Sequence, residues 1–250
     1  MNSKYTSSTH LLRSFLLVAL LSITIGGVNS SAEVHSMFEF TPVFMPHNEL
    51  VDYTITSLEK EMNGTASISI RKIKQLDMDV LLVRYEGTEG KEVKENWEAK
   101  LNYSDLIPIT FDRTYDQGEN SMQVNGSFTG ETITINIRST GQEPREVLFS
   151  RGSKFHLSML VPYLLRNIEC ATGDWYTFNM LVVEDGRFTT PIIQIKEKEV
   201  IECPAGLYDC WKVSIKLGEN QHWAWYSVKE PHYLIRYQYP DKELLMKRHS

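Results

Sequence analysis

Cysteine is scarce: three occur in 250 residues, at Cys170, Cys203 and Cys210, with no Cys-x-x-Cys spacing. Three allow at most one disulfide and leave a thiol over. No histidine has another His or Cys at ligand spacing, so no metal site and no cofactor are expected. Gly (14) and Pro (9) are too few for a collagen-like or low-complexity chain. An excess of base is also missing. With 26 Lys+Arg against 32 Asp+Glu the chain carries −6, whereas phosphate binding needs clustered Lys and Arg. A nucleic-acid partner is therefore excluded. Gly-x-Ser-x-Gly, His-Glu-x-x-His, a Walker loop and a dinucleotide fingerprint are all absent. What remains is ordinary globular composition, 42% hydrophobic and 23% charged.

Residues 1–32 hold Lys4 and Arg13 and no acid. Phe15 to Ile25 is apolar apart from Ser22 and Thr24, and Ser30-Ser31-Ala32 supplies small residues at the exit. A basic start, a short apolar core and a small-residue exit make a secretory signal peptide. The core is too short for a membrane-spanning helix, which needs roughly 20 apolar residues. The expected mature chain is a single β-rich domain, 33–250, periplasmic or secreted after cleavage. Its oxidising surroundings permit a disulfide among Cys170, Cys203 and Cys210. If the Pro204-Ala205-Gly206 turn has three residues, Cys203 and Cys210 point to opposite hairpin faces, which disfavours a bond between those two.

After residue 48 the dominant period is two. Ile133, Ile135 and Ile137 alternate with polar neighbours, as do Val213, Ile215 and Leu217, and Ile235, Tyr237 and Tyr239. Such alternation buries one face of a strand and wets the other. Glu86-Gly87, Gln117-Gly118, Thr129-Gly130 and Gly218-Glu219 read as turns between roughly a dozen strands. One antiparallel sheet of that size must curl. The expected fold is mostly β: a strongly curved antiparallel sheet or open barrel. One short covering helix is read at Leu157–Leu165, capped by Ser153 and kinked at Pro162.

Candidate site residues come from two patterns. Trp175, Trp211, Trp223 and Trp225 are rings that can line the concave face, with Leu160 and Leu164 of the helix as lid. The plainer alternative is that they fill the core. Among carboxylates, Asp77 with Asp79, or Glu197 with Glu199, can form a pair on one strand face, the arrangement a glycosidase needs. Glu197 and Glu199 are the weaker, catalytic alternative.

Three late stretches resemble the bacterial exported family called domain of unknown function 3108. They are Leu160-Val161-Pro162-Tyr163-Leu164-Leu165-Arg166 followed by Gly173, Cys203 through Val213, and Trp225-Tyr226-Ser227 followed by Pro231 and Leu234 to Tyr239. Pro108 to Arg113 resembles an earlier strand of the family, and the likeness covers about residues 95–250. The resemblance implies a signal peptide, a curved antiparallel sheet and residence in the bacterial envelope, and brings no catalytic residues. Its architecture is similar to that of lipoprotein carriers.

The leading expectation is non-enzymatic binding of an apolar or amphipathic, lipid-like ligand in a curved-sheet cavity. The alternatives are a glycan-acting enzyme using the carboxylate pair and an assembly partner of an envelope protein through a sheet edge. Oligomeric state is open. Intact-mass spectrometry of protein exported from a bacterial host should show residues 1–32 removed; a full-length mass would overturn the signal reading.

Overall fold

Alternating strands need neighbours for their backbone groups and a core for one face. In a computed structural model that describes residues 37–57 and 63–250, they find both in one long meander. The expected signal segment lies outside the described residues. The meander begins with β1 (Asn48–Ser57), β2 (Asn63–Gln75), β3 (Met78–Glu89) and β4 (Val93–Asn102). It continues through β5 (Pro108–Gln117), β6 (Asn120–Ser127), β7 (Thr132–Ser139) and β8 (Arg145–Ser150). Short strands β9 (His156–Leu157), β10 (Trp175–Thr177), β11 (Met180–Val182) and β12 (Arg187–Thr189) follow. A second meander is built from β13 (Ile192–Cys203), β14 (Gly206–Leu217), β15 (Asn220–Ser227), β16 (Leu234–Gln238) and β17 (Lys242–His249).

The last strand pairs antiparallel with the first, from Val51 opposite His249 to Ser57 opposite Lys242. This joins the meanders into one 14-stranded sheet running from β10 at one edge to β8 at the other, so it is not closed into a barrel. The sheet is strongly curled. Leu217 of β14 and Arg113 of β5 line the same cavity, yet seven strands separate theirs in the sheet order. In a flat sheet that interval would be about 38 Å. The β16–β17 ladder covers only Arg236 to Gln238. Where it stops, the tip of the β13–β14 hairpin takes over, and Ala205 N donates to Met246 O at 3.1 Å. A small sheet, β12-β11-β9, packs as a separate element, with β11 parallel to β9.

Two local readings are corrected. Glu86-Gly87 is no turn but lies inside β3. Gly87 is needed there because a Cβ would collide with the Tyr85 ring, which folds back over it. The expected Leu157–Leu165 helix is broken into three short pieces. Ser158–Leu160 and Leu165–Asn167 are 3₁₀ turns flanking α1 (Val161–Leu164), with Pro162 in its first turn, where the missing N–H costs nothing. Ser153 lies outside it and caps nothing; its Oγ accepts from Asn179 Nδ2. Every residue from Leu160 to Ile168 is buried, so this is an internal strut rather than an amphipathic lid.

A buried ion pair pins the strut. Arg166 (4% exposed) donates to both oxygens of Glu49 on β1 (6% exposed), at 2.7 and 3.1 Å. Its Nε and Nη2 also donate to Pro231 O at 3.0 and 2.7 Å. Tyr226 on β15 donates to Pro162 O at 2.6 Å. Removing one partner strands a buried charge and costs about 3–5 kcal/mol, whereas replacing both with apolar residues is close to neutral. In urea titrations, Arg166→Met and Glu49→Gln should each lower the midpoint steeply, while Glu49→Leu with Arg166→Met recovers most of it. Two harmless single variants would contradict the strut.

Candidate ligand-binding site

The site begins with a row across three strands. Tyr85 of β3 is in register with Trp97 of β4, and Trp97 with Arg113 of β5. Register partners share a face, and this row looks into the curl. Tyr85 and Trp97 stack with centroids 5.5 Å apart and planes 6° off parallel. Two residues before Trp97, on the same face, stands Glu95. From the other meander come His222 on β15, Tyr237 on β16, Lys242 and Leu244 on β17, and Tyr239 just before it. The strut contributes Ser158, Met159, Pro162 and Tyr163. These walls enclose a cavity of about 350 Å³.

One end of the cavity is charged. Arg113 Nη2 lies 2.8 Å from Glu95 Oε1, and Nη1 pairs with Glu184 in the turn after β11. Lys242 pairs with Glu89. Burial raises the Glu95 carboxyl above its ordinary range, outweighing the opposing pull of Arg113. Arg113 Nε is buried without a hydrogen-bond partner. Burial also raises the phenols of Tyr85, Tyr163 and Tyr239 and lowers the imidazole of His222, so all are neutral near pH 7. Tyr237 Oη lies 3.2 Å from His222 Nδ1. Ile55, Met159, Pro162, Leu217 and Leu244 add apolar lining, and Ser158 adds a hydroxyl.

A more open groove of about 390 Å³ borders the same three strands, with Arg84 and Glu98 paired at its rim at 2.6 Å. A smaller cavity of about 180 Å³ lies beside His156, Phe40 and Phe178. No group of three or more metal-ligating side chains occurs among the described residues. No described helix is long and apolar enough to cross a membrane.

The four tryptophans read from the sequence do not line the main cavity. Trp223 and Trp225 alternate with His222 and Ala224 and take the opposite face. There, Trp225 Nε1 donates to Glu199 Oε2 at 2.8 Å, and Arg236 lies 4.6 Å from the Trp225 centroid. Lys212 lies 5.0 Å from the Trp223 centroid. Trp211 carries Lys198 at 4.3 Å. Trp175 is 44% exposed on edge strand β10. Leu160 and Leu164 are buried in the core, while their neighbours Met159, Pro162 and Tyr163 reach the cavity. Trp97, Glu95 and Arg113 were missed, although Trp97-x-Ala99-x-Leu101 carries the same period-two signal.

The carboxylate candidates do not meet in a cleft. Glu199 bonds Lys212 at 2.7 Å, which holds its carboxyl below the usual range, and Glu197 is 65% exposed. Asp79 pairs with Lys72 and Lys74, and Asp77 occupies the β2–β3 turn at φ 64°. The cysteines are free. The hairpin turn has two residues, not three, with Cys203 opposite Gly206 and Cys210 opposite Glu199. Cys203 and Cys210 therefore share a face but sit about 13 Å apart along the strand, beyond disulfide reach. Burial pushes the Cys170 and Cys210 thiols up to about 12, so neither is nucleophilic near neutrality.

Fold and cavity together define an open, barrel-like antiparallel sheet wrapped around an internal strut. The chain belongs to the family of proteins of unknown function DUF3108, whose sequence profile matches residues 52–242, further toward the N-terminus than the motifs alone reach. No curated protein matches it. Among solved structures it is similar to a beta-barrel-like protein of DUF1849 from Brucella abortus. That likeness has a TM-score of 0.53 and 6% identity, and covers 81% of this chain and 97% of that one. A protein from Bacteroides fragilis, described as exported with a YmcC-like fold, gives 0.33 at 8% identity, over 85% and 99%. A protein from Parabacteroides distasonis, described as a lipoprotein, gives 0.31 at 12%, over 85% and 99%.

His156 Nδ1 donates to Leu106 O at 3.1 Å, which fixes the tautomer of the neutral ring. Burial lowers its pKa from 6.5 to about 4. The unfolded chain therefore binds the extra proton first, and stability is full above about pH 6.5 and declines toward pH 4. Denaturation at stepped pH should show a loss of about 3 kcal/mol from this residue, and His156→Gln should flatten the slope. An unchanged slope would refute the assignment.

Proposed function

We propose that this is an exported envelope protein that binds an amphipathic, lipid-like ligand in the main cavity without chemically altering it. The observation that carries the reading is the cavity itself: about 350 Å³ walled by aromatic rings and aliphatic side chains, with charge gathered at one end. Pockets of this size and character hold small molecules by apolar burial, and a few polar groups orient them. The basic, apolar, small-residue pattern of residues 1–32 supports export. Each of Glu89, Glu95 and Glu184 already holds a base, an arrangement that suits recognition better than acid–base work.

An uncharged monoacylglycerol, titrated calorimetrically below its micellar concentration, should bind and release heat with a negative heat-capacity change. Ser158→Trp, which pushes a ring into the cavity from the strut, should weaken binding at least about tenfold while leaving the circular dichroism spectrum unchanged. Absence of binding by this and every other single-chain amphiphile, or equal binding by a folded Ser158→Trp protein, would sink the proposal.

A further inference from the structure

At the charged end of the cavity, three carboxylates stand against two bases. Arg113 is shared between Glu95 and Glu184, and Lys242 takes Glu89. Among the side chains that line the cavity one negative charge is left over, with side-chain exposure of 14% for Arg113, 19% for Glu95 and Glu89, 26% for Lys242 and 28% for Glu184; Arg145, outside the lining, bonds the backbone oxygen of Glu184 and not its carboxylate. An unbalanced charge so placed is costly unless a counter-charge reaches it. The same cluster also has an unmet donor, because Arg113 Nε is buried without a partner. It is the only such buried side-chain atom among the described residues. Around it, Tyr85, Trp97, Tyr163 and Tyr239 supply rings, whose faces attract cations. The corner thus lacks one positive charge and one acceptor oxygen.

Resting on the reading that the cavity holds an amphiphile, we infer that the ligand's head is zwitterionic: a protonated amine joined to an anionic oxygen. The amine sits against Glu95 and its neighbouring carboxylates. The oxygen accepts from Arg113, a charge-assisted bond stronger than one to a neutral acceptor. The apolar tail runs between the strut and β17, past Met159, Leu217 and Leu244. Aminophospholipid-type amphiphiles have this chemistry; purely anionic ones offer the oxygen but leave the surplus carboxylate unbalanced. A neutral head balances neither group.

The test compares two lysophospholipids with the same acyl chain and phosphate. Lysophosphatidylethanolamine carries the amine, and lysophosphatidylglycerol replaces it with glycerol. Both are titrated into the exported protein by calorimetry below their micellar concentrations, beside monoacylglycerol. The amine-bearing lipid should bind about tenfold or more tightly than the glycerol one, a gap of about 1.4 kcal/mol. Glu95→Gln should collapse that gap. Glu184→Gln, on the turn outside the main sheet, carries the same comparison if Glu95→Gln does not fold. Equal or reversed affinities, or a gap that survives both substitutions, would overturn the inference. If monoacylglycerol binds and no gap appears, only the head-group inference falls; if no amphiphile binds, the cavity reading falls with it.

Discussion

The antiparallel pairing of β17 with β1 is the constraint from which the rest follows. Each meander by itself is a run of hairpins with two open edges. Joining the last strand to the first makes a single sheet too wide to stay flat, because twist accumulates strand by strand. The curl brings β14 to β16 round to face β3 to β5, and the cavity is the space that this leaves. The inside of the curl would be hollow if nothing crossed it. The strut from Ser158 to Asn167 crosses it, and its backbone groups find partners locally or on the wall, as Pro162 O does with Tyr226. Arg166 fastens it to β1 next to the seam, so the strut and the pairing support each other. The pair spends desolvation to hold one geometry, and Pro231 O taking two further donors is what keeps that cost tolerable.

The charges in the cavity are bound to the architecture in the same way. Arg113 belongs to the main sheet, and Glu184 belongs to the turn beside the small one. Arg145 of β8 donates to Glu184 O at 3.0 Å, and Gly186 in the same turn packs against Val147 of β8. The small sheet is thus clamped to the large one at the mouth of the cavity by groups that also set its charge. Cavity charge and local order are coupled there through one side chain, Arg113.

Much of the fold was legible because its period is simple. Ile133, Ile135 and Ile137 alternate and are buried; Val213 and Ile215 do likewise. Misreadings arose where a local signal had a distant cause. Gly87 looked like a turn residue, yet it is glycine because Tyr85 lies over it within the strand. The helical stripe was real, but packing on every side, rather than on one, broke it into short turns. The site was less legible. Period two sorts side chains into two sets without saying which set is concave. The Trp223–Trp225 pair stood out by composition and fell on the outer face, where Glu199, Lys212 and Arg236 cover it. Glu95, Trp97 and Arg113 come from adjacent strands, and only the register joins them into a row.

The family resemblance has the same bias. Its stretches are the residues that hold the curl together. Arg166 reaches Pro231, Pro162 receives Tyr226, and Cys210 to Lys212 pair with Trp225 to Ser227. Three motifs distant in sequence are therefore one set of contacts in space, which explains why their order and spacing are recognisable together. Most of the groups that charge the cavity lie outside these stretches; only Arg113 touches one of the family-like segments. Family membership therefore speaks for the fold, and the polar end of the cavity has to be read from its own residues.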